Sequence, residues 1–239
     1  GFPSVYQAML PPTTPLARTF SRLRDLLQQP GIRPAVWLSG FGVLLLVVRM
    51  VSTWTDRYDF LAWNLFLAWL PAGLLYAAGR ARTTAGRRLN WWGGLLLLPN
   101  APYMVTDFIH FRLKQGFPWW YDAQLLFVFA AAGCVLTVVC LRWLHETFTA
   151  RFGAPGGWVA QTLFCYACGL GVYLGRGPGW NSWDLLHRPG ALLSDLFSRL
   201  VQSGETVHVL GLTATSGSLL LVLHLAFNVR APRPPANRS

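Results

Sequence analysis

The chain has 239 residues, of which 53% are hydrophobic and only 12% are charged, and its formal net charge is +11. In soluble domains about a quarter of the residues are charged. The composition therefore excludes a disordered protein, a coiled coil and an ordinary soluble enzyme. The few charges fall between long apolar runs, which indicates an all-α, polytopic membrane protein.

The first part of the chain, residues 1–32, is predicted to be a cytoplasmic N-terminal segment. Leu16, Phe20, Leu23 and Leu27 share one face of a helix whose opposite face carries arginines. A helix with this pattern lies along a membrane surface. The segment contains no continuous apolar stretch, so we expect no cleavable signal peptide.

Six later stretches are long and apolar enough to cross a hydrocarbon core, which requires roughly 20 helical residues. These predicted spans are 34–52, 60–79, 90–109, 123–144, 157–176 and 206–228. They predict a transmembrane helical domain over 33–229, followed by a basic cytoplasmic tail at 230–239. A second amphipathic helix is expected near 192–200, between the last two spans.

The distribution of charge predicts the orientation. The four segments that would share one side hold the entire net charge of +11, and the three segments on the other side are each neutral. Basic residues collect on the cytoplasmic side of membrane proteins. We therefore predict a bundle with both termini in the cytoplasm, and this bias also explains the basic composition without a nucleic-acid partner.

The third span contains two prolines near its middle, Pro99 and Pro102. Proline removes a backbone donor and clashes with the carbonyl four residues earlier, so the span is predicted to break over Pro99–Pro102. Asn100 is in place to cap the outer half-helix. Two explanations stay open: a simple kink that shapes the bundle, or a discontinuous helix that opens an outward-facing cavity.

Acidic and histidine side chains collect on the predicted outer side. Asp107 and His110 are three residues apart and share a helical face, and Asp184 and His187 repeat the spacing. Together with Asp122 they are typical of a divalent-metal site or of an acid–base pair.

The simpler alternative is that these carboxylates pair with nearby arginines. The arginines in reach are Arg112, Arg176 and Arg188. Arg176 ends an apolar helix among the three acids, where its guanidinium would also suit a lipid phosphate or a substrate carboxylate.

Four phrases of the sequence carry a family resemblance: FLAWNLFLAWLP (60–71), LPNAPYMVTDFIH (98–110), WYDAQLLF (120–127) and GVYLGRGPGWNSWDLLHRP (171–189). In these phrases, and over roughly residues 40–228, the chain resembles the bacterial integral membrane family called domain of unknown function thirteen-sixty-one. The resemblance implies a multi-helix protein of the bacterial inner membrane. It brings no activity, ligand or partner with it.

The first functional hypothesis is an enzyme that acts on a lipid or lipid-linked envelope substrate at the outer leaflet. Its catalytic candidates are Asp107, His110, Asp122, Arg176 and Asp184. Its substrate-binding candidates are Asn64, Asn100, Tyr103 and Asn181. The partner implied is membrane lipid, and the only cofactor considered is a divalent metal.

Two other hypotheses stay open. A non-enzymatic accessory subunit of a membrane complex would use the same polar groups to lock its helix ends. A small transporter would need an open polar cavity, but no charged residue lies at the centre of a predicted span.

Overall fold

The computed structural model describes residues 15–111 and 117–228, and every regular element within these ranges is helical. In chain order the α-helices of the described residues are α1 (Pro15–Leu27), α2 (Ile32–Thr53), α3 (Phe60–Arg80), α4 (Thr84–Leu97), α5 (Asn100–Tyr103), α6 (Trp119–Arg176), α7 (Asp184–His187), α8 (Pro189–Val201) and α9 (Ser203–Asn228), with a 3-10 helix, Met104–His110, after α5. Helices α2, α3, α6 and α9 are long and apolar enough to cross a membrane. The all-α prediction is confirmed, and the predicted basic tail at 230–239 lies outside the described residues.

The first half of α6 forms the centre of the bundle. Leu125, Phe129, Leu136 and Leu144 on this helix are each at most 1% exposed. Helices α2, α3, α5 and α9 pack against α6. A helix that is apolar all round is suited to this central position, because each of its faces meets another element.

One residue reverses the direction of α6. Gly153 has φ 74° and ψ 175°, which an L side chain rarely adopts, and it divides the helix into 119–152 and 154–176. The rings of Phe148 and Phe164 lie 5.5 Å apart across this turn, whereas a straight helix would separate them by about 24 Å. The two halves are therefore antiparallel neighbours joined without a loop.

Pro99 separates α4 from α5. Because Pro99 has no N–H, the Leu95 carbonyl instead accepts a bond from the amide of Leu98 at 3.3 Å. Asn100 does not cap α5, which begins after Pro99. Its Nδ2 donates to the free Leu97 carbonyl at 3.0 Å, so it satisfies the end of α4 rather than the start of the next helix.

Helix α5 packs closely against α6 at Gly133. A Cβ on Gly133 would meet the carbonyl oxygen of Ala101, and Met104 Cβ would lie 3.1 Å away. The absence of a side chain at this position lets the backbone of α5 approach the central helix closely.

The helix ends meet in two groups. The group named here the Asp107 end consists of the last turn of α2, the first turns of α3 and α6, the 3-10 helix and the end of α6. The Gly153 end consists of α1, the end of α3, the turn at Gly153 and the end of α9. Helix α2 and the second half of α6 thus run toward the Asp107 end, whereas α3, the first half of α6 and α9 run away from it.

Candidate functional site

An ion pair between Asp107 and Arg176 forms the centre of the polar cluster at the Asp107 end. Arg176 Nη2 lies 2.7 Å from Asp107 Oδ1, and the Asp107 side chain is 2% exposed. Asn64 Nδ2 donates to the other oxygen, Oδ2, at 2.9 Å. Both carboxylate oxygens therefore have a donor, as a charge so far from water requires.

Three more side chains hold Arg176, one at the end of α5 and two on the 3-10 helix. Arg176 Nε and Nη2 donate to Thr106 Oγ1 at 2.9 and 2.6 Å, and the guanidinium carbon lies 4.4 Å from the centre of the Tyr103 ring. Arg176 Nη1 is 3.3 Å from His110 Nε2. Side chains three residues apart eclipse one another in a 3-10 helix, so the spacing of Asp107 and His110 brings both to the same arginine.

Asp122 belongs to a separate ion pair. Arg49 Nε lies 2.6 Å and Nη2 3.3 Å from its two oxygens, and the side chains of Arg49 and Asp122 are 8% and 6% exposed. The Tyr58 hydroxyl donates to Asp122 Oδ2 at 3.1 Å. Burial raises the pKa of Tyr58 above its ordinary value of 10.0, which keeps the hydroxyl protonated as a donor. Asp122 thus ties α2 to α6.

Asp184 lies in a third group, at the start of α7. The backbone N–H of Asn181 donates to Asp184 Oδ2 at 2.8 Å, and Arg188 Nη2 donates to Oδ1 at 3.0 Å. These donors hold the pKa of Asp184 below its ordinary value of 3.8. His187 Nδ1 lies 2.9 Å from the carbonyl oxygen of Trp183, so the second Asp–x–x–His pair does not form a joint site.

A cavity of about 440 Å³ lies beside the cluster, between α3, α4, the second half of α6 and helices α7 and α8. All four predicted substrate-binding residues line it: Asn64, Asn100, Tyr103 and Asn181. Of the described residues that line it, none is among the five predicted catalytic residues. Most of the remaining wall is aliphatic, including Leu67, Leu95, Leu96, Leu170, Leu174, Leu192 and Leu196.

The ion pair and the cavity share a wall. Asn64 and Tyr103 line the cavity and also contact Asp107 and Arg176, respectively. The charged groups therefore hold the lining residues in place from behind. The polar part of the lining consists of amide, hydroxyl and indole groups, which bind a ligand by hydrogen bonds rather than by charge.

The predicted metal site would need several converging ligands. Among the described residues, no three His, Cys, Asp or Glu side chains are grouped to hold a metal ion. Asp107 and His110 instead share the positive charge of Arg176, which repels a cation from that position. Two of the three arginines considered as simple partners, Arg176 and Arg188, do pair with carboxylates, and Arg112 lies outside the described residues.

Four residues of these groups were not among the site residues expected from the sequence. They are Arg49, Tyr58, Thr106 and Ser182, the last accepting a hydrogen bond from Asn100 Nδ2 at 3.3 Å. Arg49 carried a usable signal, because an arginine within an apolar span requires a partner. Tyr58, Thr106 and Ser182 stand in no pattern that separates them from ordinary polar residues.

Comparison with curated proteins and with solved structures found no match to this chain. A family model does match residues 63–223, which covers all of α6, most of α3 and α9, and every residue that lines the cavity beside the cluster. The chain belongs to the family described as Protein of unknown function (DUF1361).

Proposed function

We propose that this protein crosses the bacterial inner membrane six times and binds an amphipathic ligand, a lipid or a lipid-linked molecule, in the cavity beside Arg176. In this topology both termini are cytoplasmic and the cavity opens at the outer leaflet. The proposal combines the asymmetry of charge, the alternation of the helices and the chemistry of the cavity wall.

The helices give six crossings if each half of α6 counts as one crossing and if α4, α5 and the 3-10 helix together form one discontinuous crossing. Each half of α6 is long enough to cross, because the chain reverses at Gly153. Helix α4 alone is about 21 Å long, short of a hydrocarbon core of about 30 Å. With α5 and the 3-10 helix it reaches the Asp107 end, and the break at Pro99 faces protein on α6 and the cavity rather than lipid.

The composition of the cavity wall is the observation that carries the proposed ligand. Asn64, Asn100, Tyr103 and Asn181 supply hydrogen-bonding groups, while leucines of α3, α4, α6 and α8 supply most of the remaining surface. The volume of about 440 Å³ lies within the range of about 300–1,000 Å³ that is usual for small-molecule sites. A molecule with a polar head and an apolar tail satisfies both parts of this wall.

Binding is proposed ahead of catalysis because of where the charges lie. Asp107 and Arg176 neutralise each other behind the wall, and each Asp107 oxygen already accepts a hydrogen bond. We assign them as positioning residues that fix Asn64 and Tyr103. An enzyme with Asp107 and His110 as its acid–base pair would instead have to bring the reacting atoms to the 3-10 helix.

The test is native mass spectrometry of the gently extracted protein. The wild type should carry lipid-sized adducts, and Ala167→Trp, which places an indole ring in the cavity lining, should carry one lipid fewer. Ala226→Trp places the same ring on the exposed part of α9 and should bind as many lipids as the wild type. An equal number of bound lipids in Ala167→Trp and the wild type would refute the proposed site.

An accessory subunit is the second candidate, supported by the separate ion pairs of Arg49 with Asp122 and Arg176 with Asp107. Mutually satisfied pairs of this kind lock helix ends without taking part in chemistry. This function would be favoured if the wild type carries no lipid and is recovered in a defined ratio with another membrane protein.

A further inference from the structure

A second cavity, of about 740 Å³, lies at the Gly153 end, away from the Asp107 cluster. It is bounded by the end of α3, the start of α4 and the part of α6 that precedes Gly153. Three arginines and three aromatic residues contribute to its lining: Arg80, Arg87, Arg88, Tyr76, Trp91 and Trp143. We refer to it as the basic cavity.

The basic cavity contains two arginines that form no salt bridge with the carboxylates of the described residues. Arg80 pairs with Asp25 at 3.0 Å, and Glu146 of the lining pairs with Arg142 outside it, also at 3.0 Å. Among the described residues, Arg87 and Arg88 form no salt bridge. Both guanidinium groups contribute to the lining and are thus available to an anion, and guanidinium groups match phosphate geometry well.

Most of the rest of the wall is apolar, and Gln29, Glu146 and Thr147 complete it. Leu75, Ala78 and Gly79 of α3 form one part, and the indole rings of Trp91 and Trp143 form another. Tryptophan of this kind is typical of the boundary between hydrocarbon and headgroups. A free anion leaves this apolar surface uncovered, whereas a phosphate attached to an acyl chain covers it.

We propose that the basic cavity binds an anionic phospholipid, with its phosphate at Arg87 and Arg88 and its acyl chain along α3 and the two tryptophans. In the topology above, the site faces the cytoplasmic leaflet, where anionic lipids attract basic residues. It does not depend on the ligand proposed for the cavity beside Arg176, because the two sites share no residue.

The experiment titrates the detergent-solubilised full chain with phosphatidylglycerol, phosphatidylcholine or inorganic phosphate and counts bound molecules by native mass spectrometry. The test variant is R87Q/R88Q. The matched control, R82Q/R151Q, removes the same charge from two exposed arginines outside the lining. Thermal melts of both variants confirm that each is folded.

We expect phosphatidylglycerol to bind the wild type and the control equally, and R87Q/R88Q to bind it on the order of tenfold more weakly. Phosphatidylcholine should bind all three proteins equally, because the cavity beside Arg176 is unchanged in both variants. Equal losses of phosphatidylglycerol binding in both variants would reduce the effect to general electrostatic attraction and overturn the proposal. So would an equal loss of phosphatidylcholine binding in R87Q/R88Q, or displacement of phosphatidylglycerol by millimolar phosphate, which would make the site an anion site without lipid selectivity.

Discussion

Replacing Arg176 with glutamine should destabilise the protein more than replacing Asp107 with asparagine, although each change removes the same ion pair. In R176Q the Asp107 carboxylate, 2% exposed, keeps Asn64 as its hydrogen-bond partner and loses its cation. Leaving a buried charge uncompensated costs about 3–5 kcal/mol. The expected loss for R176Q lies in that range.

Asparagine at position 107 should reduce stability less than glutamine at position 176. Arg176 is 16% exposed, and it retains the hydroxyl of Thr106 and the ring of Tyr103. We therefore expect D107N to cost about 1–3 kcal/mol, the range for a lost charge-assisted hydrogen bond. The double variant D107N/R176Q leaves no charge at this site, so its loss should fall short of the sum of the two single losses by about 2 kcal/mol.

The assay is thermal unfolding in a single detergent. For a protein of this size, 1 kcal/mol shifts Tm by about 2–4 °C, so R176Q should lower Tm by roughly 6–20 °C. The control is R199Q, which breaks the ion pair with Asp195, 28% exposed, and should cost less than about 1 kcal/mol. A D107N loss equal to or greater than that of R176Q, or a double loss equal to the sum, would refute this account of the pair.

Three further changes test other contacts. G133A places a Cβ against the Ala101 carbonyl, and the overpacking should lower stability by about 1–3 kcal/mol, measured as a lower Tm. Y58F removes the hydrogen bond to the buried Asp122 carboxylate and should cost about 1–3 kcal/mol in the same assay. Asp184 has a folded-state pKa below its unfolded value near 3.8, so its ionised form stabilises the fold above that pH and this stabilisation is lost as the pH falls through the folded-state pKa. In a series of Tm against pH, D184N should therefore lose less stability between neutral pH and about pH 3 than the wild type.

Each of these changes has a control and a contrary outcome. A Cβ added at Gly190 would have no atom of the described residues within 4 Å, so G190A should stay within about 0.5 kcal/mol of the wild type; equal effects at Gly133 and Gly190 would contradict the close approach of α5. A Y58F protein as stable as the wild type would show that Asp122 does not need its third donor. Identical acid sensitivity in D184N and the wild type would show that protonation of Asp184 does not contribute to the loss of stability at low pH.

The helix positions were readable from the sequence because long apolar runs have sharp ends. The stretches 34–52, 60–79 and 206–228 agree within three residues with α2 (Ile32–Thr53), α3 (Phe60–Arg80) and α9 (Ser203–Asn228). The stretches 123–144 and 157–176 lie within the two halves of α6, 119–152 and 154–176, although the helix continues through most of the connection predicted between them. The ends of an apolar run depend only on neighbouring residues, so a single sequence is enough to predict them.

The grouping of the polar residues was only partly readable. Outer helix ends that carry Asp107, Asp122 and Asp184 were expected to form one cluster, but the structure distributes the three acids among three arginines. Which acid meets which arginine depends on the lateral order of the helices around α6. Hydropathy gives the depth of a residue along the bundle axis and contains no information about that order.

The residues that line the cavity were also only partly predictable from the sequence. Asn64, Asn100, Tyr103 and Asn181 were selected because they are polar residues near the outer ends of apolar segments, and all four line one cavity. The leucines of α8 that close it could not be selected, because an amphipathic helix on a surface has the same pattern whether it covers a cavity or lipid.

The pairing of Arg49 with Asp122 has a consequence for biosynthesis. The two residues are 73 positions apart in the chain, so at about 5–20 residues per second a ribosome needs about 4–15 s to deliver the acid after the arginine. During that interval α2 carries a cation without its partner. Arg49 lies in the last turns of α2, where a long side chain reaches headgroup water. An arginine placed two turns nearer the middle of α2 could not reach headgroup water before Asp122 is synthesised. The nascent helix would then enter the bilayer less efficiently.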